Sequence, residues 1–207
     1  MSKNNISKET GMFIPLCAGL LSFFVSGVIA CVVIGLTDNY IFATIITGGI
    51  GSFLLGFLIR SIRKNLFRTT IVGALSMPLA LAVGFFLVEG AGALLPQMAN
   101  KIESIGMDNI IAIILIASIF GTIMGIVIYG IYSIRVFLPI CAIAGIPAGA
   151  LVIALNGSWR SSATYNAIME TFWQVDLNFL SMAIFMGIGM GVSVGIYNRI
   201  KQKRIHP

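Results

Sequence analysis

The sequence predicts an all-α integral membrane protein of six transmembrane helices in a single bundle, with both termini on the cytoplasmic side. Three observations carry this expectation. Of the 207 residues, 58% are hydrophobic and only 10% charged, whereas a soluble domain carries about 25% charged residues. Six apolar stretches are each long enough for a membrane span, which takes about 20 helical residues. Small residues recur four apart in alternate stretches, a spacing that lets helix backbones approach closely in lipid. One transmembrane domain, residues 1–207, accounts for the chain, and no second domain is expected.

The first span is 12–37, which follows a polar start bearing Lys3, Lys8 and Glu9 and contains no charge. It is too long for a signal peptide and lacks a cleavage site, so it is expected to persist as a helix. Asp38 and Asn39 form a tight turn into the second span, 40–59. A basic loop follows, with Arg60, Arg63, Lys64 and Arg68 and no acid among them. The third span is 69–88, with Glu89 close to its far end. The polar segment 96–108 leads to the fourth span, 110–134, which is separated by almost no loop from the fifth, 136–155. A second polar segment, 156–178, precedes the sixth span, 177–197, and the basic tail NRIKQKRIHP.

Orientation follows from the basic residues. With the N-terminus inside, only Lys101 and Arg160 lie in outer loops, and every other Lys or Arg is cytoplasmic. The opposite orientation reverses that distribution, so the positive-inside rule selects cytoplasmic termini. The membrane expected is the bacterial cytoplasmic (inner) membrane. In the outer loops, 97–105 and 163–173 have apolar residues at helical spacing and read as short amphipathic helices in the interface. Trp159 and Trp173 suit the outer aromatic belt, and Tyr129, Tyr132 and Tyr197 the inner one.

The ladder Gly48, Ser52, Gly56 of the second span returns as Ala117, Gly121, Gly125 in the fourth and Gly187, Gly191, Gly195 in the sixth. Each step is 69 or 70 residues, and Pro78 recurs 69 residues later as Pro147. Phe13–Ala18, FIPLCA, also resembles Phe137–Ala142, FLPICA, at an offset of 124. All the matches pair helices running the same way. They imply three parallel two-helix hairpins about an axis along the membrane normal. The plainer explanation is that Gly and Ala are common in membrane helices and that even spacing enforces a period.

The search for catalytic chemistry is negative. The single histidine, His206, lies in the polar tail, so no Ser/His/Asp set or HExxH motif can be assembled in the membrane. No catalytic residue is identified, and an enzyme is not expected. Cys17, Cys31 and Cys141 are dispersed in apolar stretches, which gives neither a disulfide framework nor a metal site. No metal or other cofactor is expected. The net charge of +6 is explained by topology, so no nucleic-acid partner is expected.

Candidate pathway residues are Glu89, Ser76, Pro78, Thr122 and Pro147. An acid is costly in lipid, so Glu89 is expected either to face the bundle interior, water or a partner, as a proton or cation site or a ligand for a substrate amine, or to cap a helix ending near Val88 in the headgroups. Hydroxyls usually bond a carbonyl of their own or a neighbouring helix, though they can also line a path for a weakly polar solute. Prolines free a carbonyl one turn earlier. The expected function is a channel or secondary transporter for a small solute or ion. The alternative is a non-catalytic membrane subunit, with outward-facing ladders available to a homo-oligomer or another membrane partner. The lipid bilayer is the partner in either case.

Overall fold

The structure, a computed structural model, describes residues 3–59, 62–94, 107–156 and 176–205. Six helices make up almost all of this: α1 (Lys3–Thr37), α2 (Tyr40–Leu58), α3 (Leu66–Leu94), α4 (Met107–Tyr129), α5 (Ile134–Asn156) and α6 (Leu177–Ile205). Each is long and apolar enough to cross a membrane, and together they form a multi-pass membrane bundle. The expected amphipathic segments 97–105 and 163–173, with Trp159 and Trp173, lie outside the described residues.

Each turn between helices has a local cause. Asp38 takes a left-handed φ of 51°, and Asn39 then caps α2, its side chain accepting from the Phe42 backbone N–H at 3.0 Å. At the other end of α2, a short 3-10 turn, Arg63–Asn65, leads into α3. Gly130 has φ 89°, a conformation glycine adopts without steric cost, and it ends α4 at Tyr129. The expected fourth span ran to Ile134. Hydropathy continues across 130–134, but the backbone does not, because a 3-10 turn at Ile131–Ser133 intervenes. Helix α3 departs the other way and continues past Glu89 to Leu94, since the run Gly90–Leu94 contains no proline to stop it. Asp176 caps α6, accepting from the N–H groups of Asn178 and Phe179 at 3.0 and 3.1 Å.

The helices pack in chain order, α1 on α2 and so on to α6, and α6 then packs on α1 and closes a ring. Alternate seams are the more extensive: α2 with α3, α4 with α5, and α6 with α1. One end of the ring carries exposed Lys64, Arg68, Arg135, Arg199 and Lys201; the other carries Asp38, Glu89, Asp108 and Asp176. Large apolar side chains cover the outer wall, among them Phe13, Ile41, Phe67, Leu75, Leu79, Phe86, Ile143 and Ile146. A helix that is apolar on both its packed and its outward faces suits hydrocarbon surroundings.

Candidate functional site

The three small-residue ladders build the three larger seams. On α2, Gly48 and Ser52 lie against Gly73 of α3 so closely that a Cβ at 73 would overlap both the Ser52 hydroxyl and the Gly48 carbonyl. Gly56 completes that seam against Leu66 and Thr69. On α4, Gly121 faces Cys141 of α5, and a Cβ at Gly125 would come 2.6 Å from the Phe137 ring. On α6, Gly187 meets Gly19 of α1, Gly191 meets Pro15 and Leu16, and Gly195 meets Met12. Close approach gives the packing contact that holds helices together in lipid. The ladders are thus consumed within the chain. None of the nine ladder residues is exposed.

Beside each ladder runs a second buried stripe, at spacings of three, four and four residues. It comprises Thr44, Thr47, Gly51 and Leu55 on α2; Ile113, Ile116, Phe120 and Met124 on α4; and Ala183, Met186, Met190 and Val194 on α6. The stripes are again 69 or 70 residues apart. At the Gly51 level α2 contributes no side chain, and the Phe23 ring of α1 takes the space: a Cβ at 51 would lie 2.9 Å from it. Phe23 meets Phe120 edge to face, with centroids 5.7 Å apart and planes at 84°. Since α1 and α4 are opposite members of the ring, this pair spans its centre. One turn towards the basic end, the Ser52 hydroxyl donates to the Met124 sulfur at 3.8 Å.

The buried polar side chains are all Ser or Thr; no charged side chain is buried among the described residues. Most of these hydroxyls donate to a carbonyl three or four residues back in their own helix. Examples are Ser22 to Ala18 at 2.6 Å, Ser26 to Phe23 at 3.1 Å, Thr44 to Ile41 at 2.7 Å and Thr47 to Ala43 at 3.0 Å. Ser76 does the same with Gly73 at 3.3 Å. Thr122 differs, because its hydroxyl oxygen is buried with no hydrogen-bond partner.

The candidate pathway residues are therefore not gathered in one place. Ser76 is buried, Pro78 and Thr122 are half-buried, and Glu89 and Pro147 are exposed. Glu89 sits inside a continuous helix but on the outer surface of the ring, beside exposed Phe85, Phe86 and Leu87. Arg68 is exposed at the other end of α3. The 21 steps from Arg68 to Glu89 rise about 31 Å at 1.5 Å per residue, which matches a hydrocarbon core of about 30 Å. At the basic end, Tyr129 stacks on Tyr197 with centroids 4.4 Å apart and bonds Asn198 at 3.1 Å, while Tyr132 is exposed.

Sequence reasoning missed Phe23, Gly51, Phe120 and Met124. The signal that would have found the stripe is the same offset that revealed the ladders. A scan against protein-family models and searches of curated proteins and of solved structures find no match to this chain.

Proposed function

We propose that this protein is a small transport protein that carries an uncharged solute along the axis of the six-helix ring. The observation that carries the reading is the repeated buried stripe of α2, α4 and α6, which meets at the centre through Phe23 and Phe120. Its lining is hydroxyl, thioether and hydrocarbon. An ion entering it would lose its hydration with no fixed counter-charge, at a cost of several kcal/mol or more. The solute class is therefore neutral. Glu89, on the outer wall, is assigned to the headgroup region and not to the pathway.

The ring is read as three parallel hairpins, α1–α2, α3–α4 and α5–α6. Seam register supports this independently of composition. Gly121 meets Cys141 and Gly125 meets Phe137, while their counterparts Gly191 and Gly195 meet Pro15–Leu16 and Met12. The similar segments FIPLCA and FLPICA thus occupy matching places in two seams, to within two residues.

The basic end is proposed to be cytoplasmic. A cysteine introduced at Asn65, in a chain lacking the native thiols, is expected to resist an impermeant thiol reagent applied to intact cells, and one at Ser162 to react. Labelling at 65 but not at 162 inverts the topology.

The transport reading is tested by reconstituting the protein in phosphatidylethanolamine–phosphatidylglycerol vesicles. Osmotic relaxation is then followed by light scattering with urea, glycerol and a monosaccharide, and Na⁺ entry is followed separately. Faster relaxation with at least one neutral solute, without Na⁺ entry, is the expected result. If no solute crosses faster than in empty vesicles, the subunit reading moves ahead. Its docking face is then α3, the least buried of the six spans.

A further inference from the structure

We propose that Phe23 and Phe120 are the axial gate of this pathway, seated in the space left by Gly51, and that the gate passes small uncharged solutes bearing N–H or O–H groups. The inference rests on the transport reading above and adds the closing residues and the donor requirement.

The closing residues follow from the geometry. Phe23 and Phe120 come from opposite helices, are fully buried, and touch edge to face. At the levels matching Phe120, the other two stripes carry Gly51 and Met190. One bulky ring, one absent side chain and one flexible thioether thus share a level. Phe23 takes the space a side chain at position 51 would fill, and a Cβ there would press on its ring edge at 2.9 Å. A methionine adapts its shape readily, so Met190 and Met124 can follow a rotation of the rings. A gate needs such deformable packing beside the moving part.

The donor requirement follows from the hydroxyls. On the acidic-end side of the ring pair lie Ser26, Thr44 and Thr47 together with Ile116, Ala183 and Met186; on the basic-end side lie Leu55, Met124 and Val194 with the Ser52 hydroxyl on the Met124 sulfur. Ser26, Thr44 and Thr47 already donate their protons to backbone carbonyls, so each has only acceptor capacity left. A solute replacing its water shell there must supply the donor. Urea and glycerol do so, and an ether or a halide does not.

The test uses the full chain in the same vesicles. Phe120→Ala and Phe23→Ala are expected to raise urea and glycerol permeability severalfold without admitting Na⁺. Phe120→Leu, a smaller truncation less prone to misfold, is expected to raise it by less. Phe137→Leu loosens the α4–α5 seam by removing a buried ring and is expected to leave urea and glycerol permeability unchanged, which separates gating from general loosening. A thiol at the site reports independently of flux. Thr47→Cys, in a chain without native cysteines, is expected to be unreactive to iodoacetamide, a small neutral thiol reagent bearing N–H groups, until Phe120 is truncated. Folded variants with unchanged permeability and an unreactive Thr47→Cys overturn the gate while leaving a wild-type flux, and so the pathway, standing. Absence of flux in wild type and variants alike overturns the pathway and the gate with it.

Discussion

Gly191→Leu is expected to prevent assembly of the α6–α1 seam and to remove the folded protein from detergent extracts. The Cβ alone would overlap the Pro15 carbonyl and lie 2.8 Å from the Leu16 Cα. Overpacking a core usually costs about 1–3 kcal/mol where side chains can shift. Here the obstacle is backbone, which cannot rotate away, so the cost lies at or above the top of that range. The seam also joins the first and last helices with no short connection to hold them together. Gly189→Leu is expected to be less severe, since its nearest neighbour is the Ala144 methyl at 3.0 Å. It is not neutral, because position 189 packs on α5 and does not face open space. The neutral control is Gly90→Leu, with nothing within 4 Å of its Cβ and a gain in helix propensity. Size-exclusion profiles and thermal unfolding of the three variants check the order. Equal tolerance at 191 and 90 would mean that the ladders carry no packing load.

The gross fold was legible because crossing a membrane demands long uninterrupted apolar helices, and hydropathy reads those directly. Stops that depend on backbone conformation were not. Gly130 breaks α4 inside an apolar run, and nothing in the hydropathy of Ile131 or Ile134 registers it. The ladders were legible as packing faces because small residues are chosen for contact, but their partners were not, since these range from Gly73 and Gly19 to Cys141, Phe137, Leu16 and Met12. The axial stripe was missed for a physical reason. In lipid, the inward and outward faces of a helix are equally apolar, so Phe120 at the centre and Phe86 on the wall look alike. Only the repeated offset distinguishes them. Glu89 shows the same limit. Its charge says that hydrocarbon is unfavourable, but whether it escapes inwards or along the helix to the headgroups depends on α3's rotation and length.

Leu79→Arg is expected to abolish stable insertion, although Leu79 is 53% exposed. On a water-soluble protein, an exposed Leu→Arg change usually alters stability by no more than about 0.5 kcal/mol. Leu79 is on the outer wall of α3, next to the midpoint between Arg68 and Glu89, which places it near the centre of the hydrocarbon core. An arginine at the middle of a span costs about 2.5–3.5 kcal/mol on insertion scales, and more on an isolated helix. Snorkelling gives little relief there, because both headgroup layers are about 15 Å away along the helix. Helix α3 is the least buried span, so no neighbouring helix shields the charge. Leu79→Phe keeps the surface apolar and is expected to be neutral. Glu89→Gln tests the other end of the same scale. If Glu89 lies among headgroups, removing its charge is expected to leave membrane yield, thermal unfolding and any solute flux unchanged. Membrane-fraction yield and alkaline extraction of the three variants measure insertion. An Leu79→Arg protein that inserts and unfolds like wild type would mean that the outer face of α3 is covered by something other than lipid. A Glu89→Gln protein that loses flux while keeping its fold would return that carboxylate to the pathway.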